Sequence, residues 1–259
     1  MYDTFAQFIS TGVLAFLLIF VRIGTAIMIV PGIGDSFVSM NVRLLFAVAM
    51  SFAVFPVLMP LVPNPVPGTF MLFSLLIMEF VVGLFIGSVA RVMMTALDTA
   101  GMVVSTQSGL ANAQIFNPSL ASQGSLIGAF LSVTGVVLLF ATDLHHLILL
   151  GVFESYQLFP LGSIPDAGSM AELMSRAVTH SFMIGIKIGL PFFLITMILY
   201  TGMGVLARVM PQIQVFILTL PVQILLALTT LTMVLSVGML FWLREYEAGM
   251  VYFLSQPTE

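Results

Sequence analysis

Residues 181–206 read SFMIGIKIGLPFFLITMILYTGMGVL, an apolar run broken by one charge, Lys187. A helix rises about 1.5 Å per residue, so this run is about 39 Å long and covers the roughly 30 Å of hydrocarbon in a bilayer. It is too long for a membrane strand and does not alternate. In lipid every backbone polar group must pair internally, which leaves a helix. Five more runs of this kind lie near 10–30, 44–62, 70–94, 126–151 and 213–242. The expected fold is therefore all-α: a polytopic integral membrane protein with about six long apolar helical stretches, some kinked or broken.

Composition agrees with that reading. Hydrophobic residues make up 60% of the chain and charged ones 7%, with a mean hydropathy of +1.17. Soluble domains carry about 25% charged residues. A core of this size cannot hide so much apolar surface from water, so lipid or other hydrophobic subunits must cover it. The net charge of −4 and the lack of a basic tract argue against a nucleic-acid partner. There is no cysteine, which excludes disulfides and thiolate metal sites. No basic run precedes the first apolar stretch, so that stretch reads as retained rather than as a cleaved signal.

Prolines and glycines mark the breaks. Residues 31–35, PGIGD, stop the first stretch; Pro56, Pro60, Pro63, Pro65 and Pro67 end the second; Met210-Pro211 separates the last two. The connection at about 154–178 is the clearly hydrophilic one, and nothing resembles a separate soluble domain, so 1–259 reads as one unit. Arg43, Arg91 and Arg208 fall at one set of alternate loops and Arg176 and Arg244 at the other, so by the positive-inside rule the first set is expected to be cytoplasmic and the N-terminus outside, on three residues against two. Trp242, Tyr246 and Tyr252 suit either an interfacial belt or ordinary packing.

Residues 105–125, STQSGLANAQIFNPSLASQGS, are the most unusual segment. They are uncharged and rich in Ser, Gln and Asn, and they lie between spans. Asn117-Pro118 marks a turn, and Gly109 and Gly124 bracket the segment as hinges. Two readings stay open: a polar exposed loop, or a loop that lines or plugs a pore, since irregular backbone at membrane depth needs protein or water around it. Arg22, Glu79 and Lys187 are charges inside apolar stretches. Such charges cost about 2.5–3.5 kcal/mol at a span centre, so they serve either a proton or ion relay or interhelical pairing. Pairing is favoured, because a relay needs more than scattered single charges. Gly83 and Gly87, Gly124 and Gly128, and Gly185 and Gly189 repeat every four residues, a spacing that lets helix backbones approach.

Catalytic readings find little. Adjacent His145 and His146 point about 100° apart on a helix and cannot chelate one metal as an i, i+4 pair does. Asp143 and His146 share a face, which an interfacial polar cluster explains. Ser108-Gly109 lacks the surroundings of an intramembrane serine protease. No enzyme activity, metal or cofactor is expected.

Several blocks, taken in order, resemble the FliR-like family of type III export-gate proteins. Arg22 leads to Pro31; Val42-Arg43 opens the second stretch; Glu79 precedes Gly83 and Gly87; residues 105–125 follow, then Leu144-His145, Ser155 and Pro160. Residues 208–216, RVMPQIQVF, resemble the family's Pro-Gln-x-Asn-Val-Phe signature, with Gln214 in place of the commoner Asn. The likeness covers nearly the whole chain and leans to the flagellar rather than the injectisome branch.

The resemblance implies a subunit of the flagellar export gate, in the bacterial inner membrane at the flagellar basal body. There it packs with FliP and FliQ homologues in a hetero-oligomeric helical assembly, alongside FlhB and FlhA homologues, with membrane lipid around it and unfolded export substrates in transit. It also implies a loop over 107–122 that plugs the closed channel. Ile115 and Phe116 are its apolar stoppers, and Gln107, Gly109, Asn112, Gln114, Asn117 and Ser122 its polar or hinge positions. Arg208, Pro211, Gln212, Gln214 and Phe216 match a turn at the cytoplasmic entrance where the FlhB homologue wraps. The rival from another class is a proton-coupled secondary transporter of small molecules with Glu79 and Lys187 in its coupling site. It expects internal repeats and matched broken helices, and no convincing repeat is present.

Overall fold

The computed structural model describes residues 2–61, 68–112, 125–162, 165–212 and 214–254. Among these residues the chain is helical, without a strand. In order the helices are α1 (Tyr2–Ile29), α2 (Met40–Leu58), α3 (Thr69–Gln107), α4 (Leu126–Ala141), α5 (Leu144–Leu158), α6 (Ala167–Val209) and α7 (Val215–Leu254). Short 3-10 turns follow α2 at Met59–Leu61 and α3 at Leu110–Asn112. Five helices are long and apolar enough to cross a membrane, and the broken pair α4 and α5 qualifies when taken together. The chain is a polytopic membrane protein.

The apolar runs and the helices differ at their ends. α3 and α6 contain 39 and 43 residues, far beyond the stretches expected at 70–94 and 181–206. Helix formation does not stop where hydrophobicity stops, and residues 95–107 contain no proline. Pro56, Pro191 and Pro221 lie inside α2, α6 and α7. Pro56 therefore does not end α2, which runs two residues further. The stretch expected at 126–151 is interrupted at Asp143, which adopts φ 60°, a left-handed conformation open to Asp more than to most residues.

Contacts group the chain into two compact units. The first holds α1, α2, α3 up to Val92, α5 and α6 up to Ala177. In α1 the buried residues Leu14, Leu18, Ile19, Ile23, Ala26 and Ile27 recur at helical spacing and pack with Ala47, Val82, Phe85, Ile86, Val152 and Tyr156. Lipid is as apolar as these side chains, so close backbone approach must supply much of the packing. Gly83 provides it: a Cβ there would collide with the Arg22 carbonyl, and one at Gly87 would lie 2.9 Å from the Ala26 carbonyl. The α1–α2 connection is tied by Asp35, which accepts from the Gly32 amide at 2.7 Å and pairs with Arg91. Arg43 donates to the Gly34 and Val38 carbonyls, both at 3.1 Å.

The second unit holds the rest of α3, α4, α6 from Val178 and α7 up to Ala248. Here α3 meets α4 where Gly101 abuts Gly128, and Ser125 both caps α4 through the Gly128 amide at 3.0 Å and donates to the Gly101 carbonyl at 2.9 Å. α6 meets α3 through Gly185 and Gly189, whose Cβ positions lie 2.7 Å from the Ala96 carbonyl and 2.6 Å from Val103. Trp242 and Tyr246 are fully buried, 5.3 Å apart between ring centroids, and the Trp242 indole donates to the Met93 carbonyl at 3.4 Å. Packing, rather than an interfacial belt, accounts for these two rings.

Candidate functional site

Two sets of polar groups stand inside this apolar framework. In the first unit, Arg22 on α1 donates its Nε–H to the Glu79 carboxylate on α3 at 2.5 Å. Its Nη1 reaches the Ser155 carbonyl at 3.2 Å and the Ser155 hydroxyl at 3.4 Å, in the last turn of α5. The guanidinium carbon lies 4.1 Å from the centroid of the Tyr156 ring, and the Tyr156 hydroxyl donates to the Ile19 carbonyl at 3.4 Å. The Gly162 amide also hydrogen-bonds Glu79. Arg22 thus serves a carboxylate and the negative end of a helix together. A lone buried ion is strongly unfavourable and a paired, hydrogen-bonded one is tolerated, so the cluster fixes how α1, α3 and α5 meet.

In the second unit, the end of α3 is held by side chains from α6 and α7. The Gln107 carbonyl accepts from Gln223 Nε2 and, at 3.3 Å, from Thr196 Oγ1. The Tyr200 hydroxyl reaches Gln223 Oε1 at 3.5 Å. Two residues on, Gly109 takes φ 74°, and a Cβ there would sit 3.3–3.4 Å from Leu220 and Gln223. Only glycine takes this conformation freely in so close a space. These contacts satisfy a carbonyl left open at the end of α3 and fix where the chain leaves it.

The remaining expected site residues fall as follows. Asn112 closes the 3-10 turn, though its side chain lies outside the described residues, as do Gln114, Ile115, Phe116, Asn117 and Ser122 in full. Arg208 is exposed in the last turn of α6, followed by exposed Pro211, Gln212 and Gln214. Phe216 lies in α7 with its side chain undescribed. Lys187 is exposed on α6, with its ammonium 5.7 Å from the centroid of the Phe241 ring. Among the described residues no carboxylate pairs with it. A cation over an aromatic face gains about 0.5–2 kcal/mol, less than the roughly 2.5–3.5 kcal/mol a lysine costs at a span centre.

Asp143, His145 and His146 come together more closely than two adjacent helical histidines suggest. One ligand atom from each lies within 4.8 Å of the others, with Asp143 in a left-handed conformation just before α5. Asp143 and His146 are 3.6 Å apart. The group sits at a helix N-terminus, whose partial positive charge disfavours a bound cation.

Tyr156, Thr196 and Gln223 also take part in these clusters, although the residues singled out from the sequence do not include them. Gln223 carried the same signal as Glu79, a polar side chain inside an apolar run. Thr196 did not, because threonine in a membrane helix usually bonds its own backbone, and Thr196 also does so, to the Phe192 carbonyl at 2.8 Å.

Comparison with known proteins adds a family. The pattern described as "Bacterial export proteins, family 1" matches residues 13–249. The chain is 36% identical to the flagellar biosynthetic protein FliR of Caulobacter vibrioides over 233 residues, covering 88% of this chain and 91% of that protein. It is 27% identical to the Bacillus subtilis protein of the same name, covering 86% of each. It is also 30% identical to the Yop proteins translocation protein T of Yersinia pestis, over 60% of each chain.

Proposed function

The chain belongs to family 1 of the bacterial export proteins, and from that premise we propose that it is a membrane subunit of a flagellar type III export apparatus. The observation that carries this reading is the family match over residues 13–249, which takes in nearly every helix. The flagellar branch is preferred because the flagellar relative from Caulobacter aligns over 88% of this chain and the Yop protein over 60%. None of the three relatives is named as a small-molecule transporter, and Glu79 is already engaged by Arg22.

In this reading the chain acts as one functional unit in the bacterial inner membrane, at the flagellar basal body. It forms a channel with FliP and FliQ homologues, next to FlhB and FlhA homologues, and unfolded flagellar subunits pass through. The polar segment after α3 is a steric plug: Ile115 and Phe116 occlude the pore, and the amides and hydroxyls around them hold it by weak, uncharged contacts that an arriving polypeptide displaces. The clamp on Gln107 and the left-handed Gly109 support it by giving the segment a fixed root. Arg208, Pro211, Gln212, Gln214 and Phe216 form a turn at the cytoplasmic entrance where the FlhB homologue binds.

Affinity capture of the tagged chain from native membranes tests the reading. Stable recovery of two small hydrophobic partners, together with loss of secreted flagellar subunits when the gene is removed, is the expected result. Undiminished secretion in the deletion strain overturns it.

A further inference from the structure

Lys187 is the single lysine of the sequence, and its position raises a problem of charge. Met183, Lys187, Leu190, Leu194 and Ile198 follow one another at steps of three and four along α6, so they form one face. That face is bare: its four apolar members are between 49% and 72% exposed. The opposite face, through Gly185 and Gly189, is the one packed on α3. The stripe therefore lies on the side of α6 away from α3, with an ammonium group in its middle and the Phe241 ring beside it.

An ammonium ion on an apolar surface inside a membrane protein needs a counter-charge. No described carboxylate pairs with Lys187, and three of those in the membrane helices are engaged elsewhere: Glu79 by Arg22, Asp98 by the Ser132 hydroxyl, and Glu245 by His180. We infer that this face of α6 docks a membrane-spanning helix of a different chain, and that the helix presents an Asp or Glu carboxylate to Lys187. The apolar members of the stripe pack along the incoming helix, and the ion pair fixes its register, as a single polar residue does in other helix interfaces. The inference rests on the hetero-oligomeric reading above and adds to it the surface, the residue and the partner's chemistry.

The single lysine makes the test unambiguous. The complex, captured from native membranes through the full-length chain, is treated with the apolar carbodiimide dicyclohexylcarbodiimide. This reagent activates buried carboxylates, and any amide formed at a lysine Nζ of this chain must be at Lys187. Mass spectrometry is expected to find Lys187 joined to an Asp or Glu in an apolar segment of a co-purifying chain. Lys187→Glu should lower recovery of that chain at least tenfold, Lys187→Arg should retain it, and an acid-to-lysine change at the cross-linked position should rescue Lys187→Glu. Lys187→Met, which inserts without a buried charge, should still lose the partner several-fold and guards against a mere failure of Lys187→Glu to fold.

Other outcomes overturn the proposal. One is an intact complex in which Lys187 is freely acetylated and Lys187→Glu keeps its partners. Another is a cross-link to a carboxylate of a second copy of this chain. A third is protection of Lys187 in the isolated chain by phosphatidylglycerol vesicles and not by phosphatidylcholine, which assigns the counter-charge to lipid phosphate. Capture of no partner by the wild-type chain overturns the assembly reading itself and this inference with it, whereas captured partners with a free Lys187 overturn the inference alone.

Discussion

Arg22 and Glu79, 57 residues apart in sequence, form an ion pair of 2.5 Å whose side chains are 1% and 3% exposed. Two buried charges of this kind are balanced against each other, so removing one leaves the other without a partner. Glu79→Ala is expected to destabilise the chain by about 3–5 kcal/mol, while Arg22→Met with Glu79→Leu costs much less because no orphan charge remains. Unfolding of the purified chain in detergent, run as a double-mutant cycle, measures this. Single and double variants that are equally unstable would show that packing of α1 on α3, not the charge pair, dominates.

One substitution made at two glycines should have opposite signs. At Gly83 a Cβ collides with the Arg22 carbonyl, a backbone atom that cannot swing away, so Gly83→Ala is expected to cost about 1–3 kcal/mol. At Gly202, also helical, nothing lies within 4 Å of the added carbon. There Gly202→Ala only removes freedom from the unfolded chain and should stabilise the isolated protein by about 0.5–1 kcal/mol. Midpoints of thermal unfolding in one detergent decide it. Loss of stability at both positions would mean that the Gly202 face is packed in solution.

The helical architecture was legible because lipid imposes a crude rule: long apolar runs must be helices. What the rule cannot give is where a helix ends. α3 continues to Gln107 through polar Asp98, Thr99, Ser105 and Thr106, since nothing there breaks a helix, and Pro191 sits within α6 without ending it. The polar sites were half legible. Arg22 and Glu79 stood out as charges in apolar runs, but their mutual contact depends on how α1 and α3 pack, and Gly83 shows only that some backbone comes close. Gln223 carries the same signal, a polar side chain inside an apolar run. Tyr156 carried none, because a tyrosine is ordinary at either a core or an interface position.

Asp166 makes a prediction in pH. Just before α6 its carboxylate accepts from the Ser169 hydroxyl at 2.6 Å and from the Ser169 and Gly168 amides at 2.9 and 3.3 Å. The Ser169 hydroxyl, then these backbone donors, hold its pKa below the ordinary aspartate value. A group whose pKa is depressed on folding contributes stability above its unfolded pKa and loses it as pH falls through the folded one. Protection of the Gly168, Ser169 and Met170 amides should therefore be constant at neutral pH and fall below about pH 4. Asp166→Asn should remove that acid step while keeping part of the cap. Hydrogen exchange resolved at the first turn of α6 checks it, and an acid step that persists in Asp166→Asn would assign the titration to another group.

The clamp on Gln107 connects this framework to the proposed plug. Gln223→Leu removes one of the two side-chain donors to the Gln107 carbonyl and leaves Thr196 as the other. A neutral hydrogen bond contributes about 0.5–1.5 kcal/mol net, so the plug should loosen by about two- to tenfold in its open fraction without loss of the fold. Deleting residues 112–121 removes the apolar stoppers themselves and should leave the assembled channel conducting in the absence of substrate. Ion current or small-dye uptake through the captured complex in planar bilayers or vesicles reads both variants. Deletion should give the large leak and Gln223→Leu a smaller one. A deletion complex as tight as the wild type would end the plug mechanism. A leaking deletion with a tight Gln223→Leu would keep the plug and move its anchor away from α7, most directly to Thr196 and the left-handed turn at Gly109.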